Sequence, residues 1–467
     1  TRPGPNVAPW MTNTTASPLI DRAAQLAQEG LEFVMAHGLV RYRKDGSIGH
    51  LPFTLYPWEA PAGFYEHGRR VSPLYNKLYH RVSQQRDFLD EHLAASREVD
   101  DFVKGLYSCL PEKPISRPWL YLSRHDFMPA DTPKGVLPKQ VETNLMAASL
   151  GYASQRVNAA IRFLYAGTDL GSKVLPHRGG STICQGLALG YKHYAKPGQV
   201  ILFIVPPGEV NAFDQRSMQA ELVLEHGIPV VRTTLDELGE QAEIRDGFVC
   251  LHGKSAAIAY FRAGYSPDHY HQQLAWKGRR LLEHSQTMSI PSVTIQLANT
   301  KKIQQVLGDQ AMLEKFVSPQ EAVELLETMV AMAPVDGALR GATGRELALQ
   351  EPENWVLKPS REGGGNNYFG QQMVEQLEKL SRRDAEAFII MEAIKQEPFR
   401  AVRLVEEKVV DDLCVTEMGH FSYALWDDGK SDPEFQDTEG YLLRTKHVHN
   451  REGLVLGGYS FLDTAAV

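Results

Sequence analysis

Six consecutive apolar residues, Val200-Ile-Leu-Phe-Ile-Val205, constrain the fold more than any other stretch of this chain. A run without polar alternation reads as a strand buried on both faces, and such strands belong to parallel sheets covered by helices. The following residues agree: a helical pattern over 215–226, a strand at 228–232, a second helical pattern, and a strand at 257–261. This rhythm predicts a compact α/β unit over about 198–300.

The flanking regions read differently. Ser17-Pro18 suggests a helix start, followed by apolar residues at helical spacing from Ile20 to Met35. Residues 51–57 are proline-bounded and extended, 70–110 suggest paired surface helices, and 318–350 look helical. Strands are expected at 119–122, 139–142, 355–357, 387–394, 401–410 and 413–417. With 467 residues, two or three lobes are expected. The 43% hydrophobic and 23% charged content suits a soluble globular protein, and the formal charge of −8 argues against a general nucleic-acid binder. No apolar run approaches the roughly 18 residues of a membrane span. Cys109, Cys184, Cys250 and Cys414 form no CxxC pair, so free thiols are expected. The chain begins at Thr1, which reads as a trimmed chain or a mature protein without its leader, and Asn13-Thr14-Thr15 is a glycosylation sequon.

Chemistry concentrates in a few polar clusters at strand ends. The segment Lys358-Pro-Ser-Arg-Glu-Gly-Gly-Gly-Asn-Asn367 joins a short strand to a helical run over 371–382. Three glycines alone describe an ordinary turn. Here Lys358 adds a cation for a phosphate, Glu362 a hard oxygen for Mg²⁺, and Asn366 and Asn367 polar partners. Together they read as a lid over nucleotide phosphates. Glu142 and Asn144 alternate on an extended segment, so both can face one way and supply oxygens to Mg²⁺, with Arg124 nearby. Glu209, Asn211 and Gln215 follow the buried strand; Arg262 and Tyr265 follow the strand at 257–261; Arg444 and Lys446 precede a glycine-containing tail. His269 with His271, and His447 with His449, lack companions at zinc spacing. There is no Walker A, GxGxxG or GxSxG motif.

In order along the chain, these residues resemble the eukaryotic-type glutathione synthetases over about 50–467. The matching stretches include Leu51-Pro-Phe-Thr-Leu-Tyr-Pro57, Arg124 with Asp126, Glu142-Thr-Asn144, Gly186-Leu-Ala-Leu-Gly190, Asn211-Ala-Phe-Asp-Gln-Arg216, Thr300-Lys-Lys302, Val356-Leu-Lys-Pro359, Arg361-Glu-Gly-Gly-Gly-Asn-Asn367, Met391-Glu392, Glu417 and Leu443-Arg-Thr-Lys446. The resemblance implies an ATP-grasp fold of mixed α/β class with an inserted three-layer α/β substrate unit. It implies an ATP- and Mg²⁺-dependent, ADP-forming ligase that joins γ-glutamylcysteine to glycine through an acyl phosphate. A homodimer and a cytoplasmic setting are implied too, although the start of the chain leaves secretion open.

The expected organisation is a flexible segment over 1–16, a helical and nucleotide-binding portion over 17–197, the substrate unit over 198–300, and a lobe over 301–467 carrying the lid. Carried over by position, Glu142, Lys301, Lys358, Arg361, Glu362, Gly363, Gly364, Gly365, Asn366, Asn367, Phe369, Met391, Ile394, Glu417, Lys446 and Glu452 hold ATP. Glu142, Asn144 and Glu362 hold Mg²⁺, while Arg124 and Arg444 act on the reacting groups. Arg124, Ala147, Ser149, Glu209, Asn211, Gln215, Arg262, Tyr265, Arg444, Val455 and Leu456 surround the substrates.

The substrate positions depart from the family pattern. Ala147 stands where the family has a serine, Ala263 where it has an aspartate, Gln185 where it has a lysine, and Phe369 where it has a tyrosine. Leu454 and Leu456 replace small residues in the tail. Each lost polar partner costs roughly 1–3 kcal/mol. Three readings therefore stand open: an ordinary glutathione synthetase, a ligase with changed donor or acceptor, and a binding protein that kept the fold.

Overall fold

The computed structural model describes residues 17–43, 45–360, 366–450, 455, 458 and 460–467. A hairpin of two long strands, Trp119–Thr132 and Gly135–Asn144, is continued by the 19-residue strand Lys408–Trp426, which pairs with the first of them. Phe435–His447 lies on the other side of the long strand. The seven-stranded sheet goes on through Phe461–Asp463, Phe53–Thr54 and Phe399–Val405, and the last of these pairs back with Lys408–Trp426. Five strands thus close a ring, which removes their open edges.

Helix Phe64–Ser83 packs across this sheet because Phe64, Gly68, Val71, Tyr75, Leu78, Tyr79 and Val82 recur at helical spacing and are all buried. Helices Gly151–Leu164 and Gly179–Tyr194 also pack against it. In the second of these, Gly186 and Gly190 allow close approach: a Cβ on Gly186 would lie 2.7 Å from Leu122 and Tyr423 side-chain atoms.

Residues of the apolar run form strand Val200–Ile204, buried at every position. It pairs in parallel with Val230–Thr233 and Lys254–Phe261, and the latter pairs in parallel with Met288–Ile290. Antiparallel strands Phe248–Leu251 and Glu243–Arg245 complete this six-stranded sheet. A third sheet of four antiparallel strands, Met332–Pro334, Phe388–Glu392, Trp355–Pro359 and Tyr368–Phe369, has its own small core with Trp355, Leu357, Met373, Leu377 and Ile390. The fold is the mixed α/β arrangement that the sequence predicts.

Three local expectations are corrected. Residues 318–350 are not one helix but Pro319–Thr328, three short strands and Gly344–Gln350. Both helices start with a capping box, Ser318 with Glu321 and Thr343 with Glu346. The strand expected at 119–122 runs on to Thr132. The strands expected at 401–410 and 413–417 are instead Phe399–Val405 and Lys408–Trp426. Among the described residues, no helix is long and apolar enough to cross a membrane, and all four cysteines are free and buried.

Candidate active site

Strand register brings the polar side chains together. Arg124 lies opposite Asn144, and Asp126 opposite Glu142, within one hairpin. On the neighbouring long strand Gly419 faces Asp126, while two residues earlier Glu417 faces Arg444 on the next strand. The period of two then puts these groups on one face. Gly419 makes room for them, because a Cβ there would collide with the Asp126 carboxylate and lie 2.8 Å from the Arg124 side chain. Gly419→Ala is expected to destabilise the protein by about 1–3 kcal/mol, read as a lower urea midpoint at unchanged slope.

Asp126 is the hub of the cluster and is only 1% exposed. One carboxylate oxygen accepts from Arg124 Nε at 2.7 Å. The other accepts from Arg124 Nη2 at 2.8 Å, Asn144 Nδ2 at 3.1 Å and Arg444 Nη2 at 2.9 Å. Arg444 also ion-pairs with Glu417, and these two carboxylates, with Glu142 nearby, hold its guanidinium protonated despite burial. Asn144 Nδ2 lies 3.4 Å from Glu142 Oε1, confirming that the two side chains share a face.

Lys301 Nζ approaches Glu142 Oε2 at 3.5 Å, and Lys358 Nζ donates to the carbonyl of Val141 at 3.3 Å. Burial pushes the Glu142 carboxyl up, but Lys301, Lys358, Arg444 and Arg124 more than reverse this and hold it near 2, well below its ordinary 4.5. Glu142 is therefore ionised throughout the neutral range.

Part of the cluster borders a cleft of about 510 Å³, with Glu142, Lys358, Glu417, Arg444 and Lys446 in its wall. The rest of the lining mixes apolar Val356, Phe369, Met391, Ile394, Val415 and Val448 with polar residues such as Glu353, Glu392, Lys395 and Gln396. Apolar wall residues together with Lys358, Arg444 and Lys446 suit a flat heterocycle carrying phosphates. Asn367 lines it too, and Asn366 lies beside it in sequence and is exposed. Arg361, Glu362, Gly363, Gly364, Gly365, Glu452 and Leu456 lie outside the described residues.

The expected substrate residues form a second cluster, joined to the first by the backbone of 145–150. Arg124 Nη1 reaches the Ser149 carbonyl at 3.4 Å, and Arg262 Nη1 donates to the adjacent Ala148 carbonyl at 2.8 Å. Ala147 and Leu150 have φ of 54° and 67°, so this loop is sharply bent. Asp214 fixes its far end by accepting from the amides of Leu150, Tyr152 and Ala153. Glu209 accepts from the Asn211 amide at 2.6 Å and from Gln215 Nε2, and Arg232 Nη2 donates to Gln215 Oε1 at 2.8 Å. Tyr265 stands edge-on to His269. Val455 is buried in an apolar core.

The family model described as eukaryotic glutathione synthase, ATP binding domain, matches residues 21–467. The chain belongs to this family. It is 33% identical to the glutathione synthetase of Bos taurus, covering 94% of this chain and 96% of that one. It is 30% identical to the chloroplastic glutathione synthetase of Solanum lycopersicum, covering 96% and 86%. A solved structure of a glutathione synthetase-like effector from Globodera pallida, in its apo form, superposes with a TM-score of 0.75 at 19% identity, covering 96% and 97%. That likeness carries the fold alone.

Sequence reasoning gave Asp126 no role beyond its place in a motif, and it missed Gln396, whose side chain accepts from the Thr416 amide at 2.9 Å in the cleft wall. It also missed Arg232, which only the parallel pairing of Val230–Thr233 with Val200–Ile204 brings toward Gln215. A polar residue at the end of an apolar strand was the available signal.

Proposed function

We propose that the chain is an ATP-dependent carboxylate–amine ligase that joins γ-glutamylcysteine to glycine. The observation that carries this reading is Arg124, which is gripped by Asp126 beside the cleft residue Arg444 and extends to the loop carrying Ser149. One guanidinium thus stands between the phosphate end and the substrate cluster. The donor's terminal carboxylate attacks the γ-phosphorus of ATP, and ADP leaves. The acceptor amine then adds to the acyl phosphate, and phosphate leaves as the amide forms. In this reading Arg124 and Arg444 stabilise the oxyanions of both steps, and Lys358 and Lys446 neutralise the triphosphate.

The donor set fits Mg²⁺. Glu142 is ionised, and the Asn144 amide turns its N–H groups to two carboxylates, which leaves its carbonyl oxygen for a hard cation. Glu142 and Asn144, with Glu362 by the family pattern, would hold the ion, which would supply charge neutralisation to the transferring phosphoryl group. A homodimer belongs to the same reading through the family.

A changed substrate is the second reading. Arg262 Nε and Arg232 Nη1 are buried without a hydrogen-bond partner, and Ala263 leaves this cluster without the aspartate of the family pattern. Each of these guanidinium groups is paired through one nitrogen and keeps another unsatisfied, which favours a donor with more negative charge here.

Phosphate release from Mg-ATP tests both readings, first with γ-glutamylcysteine against glycine, alanine, β-alanine, serine and no amine, then with a donor dipeptide carrying one more carboxylate in place of γ-glutamylcysteine. Release with glycine alone is the expected result. Release with the more acidic donor, or with an acceptor other than glycine, and not with γ-glutamylcysteine and glycine replaces the first reading with the second. No release with any acceptor, together with no thermal stabilisation by Mg-ATP, overturns the ligase reading.

A further inference from the structure

Outside the cleft, one cluster brings three different metal-binding side chains together. Cys184 on helix Gly179–Tyr194, Glu221 on helix Ala212–Leu224 and His226 just beyond that helix place one donor atom each within 4.8 Å of one another. His226 Nε2 lies 4.0 Å from Glu221 Oε1. The thiol is fully buried, while the imidazole and carboxylate side chains are each 24% exposed, so the cluster has a closed floor and an open side. We propose that Cys184, Glu221 and His226 form a binding site for a borderline-soft divalent cation of the Zn²⁺ class, with water as its fourth ligand.

The donor chemistry selects the ion. One thiolate, one imidazole and one carboxylate suit Zn²⁺ and not the hard Mg²⁺ of the cleft. Bond lengths of about 2.0–2.3 Å in a tetrahedral site place donors roughly 3.3–3.8 Å apart. The present spacing therefore needs a contraction of about an ångström. His226 can supply it by rotation, since it lies past the helix end and is part-exposed.

The surroundings already orient the carboxylate. Tyr152 donates its hydroxyl to Glu221 Oε2 at 2.7 Å and Ser181 donates to the same oxygen at 3.2 Å, which leaves Oε1 as the donor facing His226. Outer partners of this kind fix metal ligands in place. Burial and the Glu221 carboxylate together push the Cys184 thiol well up from its ordinary value. The ion would displace the thiol proton to solvent, so affinity rises with pH.

The position gives the ion a consequence. Asp214, Met218 and Glu221 lie at intervals of four and three on one helix, hence on one face. Asp214 holds the amides of the 150–153 turn. Binding would brace this helix against Gly179–Tyr194 and stiffen the loop that carries Ser149.

Co²⁺ added to the metal-free full chain is the direct probe, because a thiolate ligand gives a charge-transfer band in the near ultraviolet. Zn²⁺ competition then gives affinity and stoichiometry. The expected result is one equivalent, a thiolate band, and loss of the band in Cys184→Ser. His226→Gln, a part-exposed change that keeps the core intact, is expected to weaken Zn²⁺ binding by at least about 10–100-fold. It decides the matter where Cys184→Ser fails to fold. Absence of the band in the folded wild type overturns the proposal, as does a band that persists with unchanged affinity in His226→Gln.

Discussion

Asp126→Asn is expected to lower the stability of the unliganded protein by about 3–5 kcal/mol, the range seen when one partner of a buried ion pair is removed. Asp126 is 1% exposed and accepts four hydrogen bonds, two from Arg124, one from Arg444 and one from Asn144. Asparagine keeps the shape but turns an N–H₂ group toward donors that have nothing to offer it. Two buried guanidinium groups then lose the carboxylate between them. Urea unfolding gives the measurement, with a lower midpoint at an unchanged slope. A double-mutant cycle with Arg444→Met separates the pair from the rest, since residues that share a partner do not add. A loss below about 1 kcal/mol would show that the fork is as weak as a surface pair and would remove Asp126 from the centre of the site.

The role of Asp126 was hard to read because it acts from behind. The residues legible in the sequence are those whose local pattern carries their chemistry. Glu142 and Asn144 sit two apart on a strand, and the structure puts their side chains in contact. Lys358 lies near the end of a short apolar strand before the glycines, and it lines the cleft. Asp126 has the same spacing from Arg124, but its link to Arg444, 318 residues away, comes only through two strand pairings. Lys301 was reached only through the family resemblance, and its meeting with Glu142 depends on how helix Lys301–Val306 is docked.

The fold shows the same division. The apolar run at 200–205 gave the parallel sheet because burial on both faces leaves a one-dimensional trace. The hairpin between Phe399–Val405 and Lys408–Trp426 left none. Its two-residue turn uses Glu406 and Glu407 at φ of 47° and 64°, where glycine or asparagine is the usual signal. Two glutamates in the left-handed region are held there by the strands and not by preference, so the turn was read as part of a strand. The apolar spacing over 318–350 reads as one helix and leaves no trace of the three short strands within it.

Glu142→Gln is expected to have the largest effect on activity, a loss of at least about 100-fold in Mg-ATP turnover, given the several kcal/mol that a bound ion supplies to phosphoryl transfer. The change keeps the side chain's shape and removes one negative charge from a cluster where Asp126, Glu142 and Glu417 face Arg124, Arg444, Lys301, Lys358 and Lys446. The cations are already in excess, so the variant's cleft becomes more positive. Metal-free ATP is therefore expected to bind the variant as well as the wild type or better, while the further stabilisation that Mg²⁺ brings disappears. Thermal unfolding with ATP, with and without Mg²⁺, separates the two contributions. A simple loss of packing would weaken both. The unliganded protein adds a check through pH. The folded-state carboxyl is depressed from 4.5 to about 2, so its contribution is present above about 4.5 and is lost as pH falls toward 2. The stability gap between wild type and Glu142→Gln should accordingly be widest near neutrality and close on acidification. A gap that stayed constant across that window would mean that Lys301 and Lys358 do not act on Glu142, and the charged end of the cleft would need another organiser.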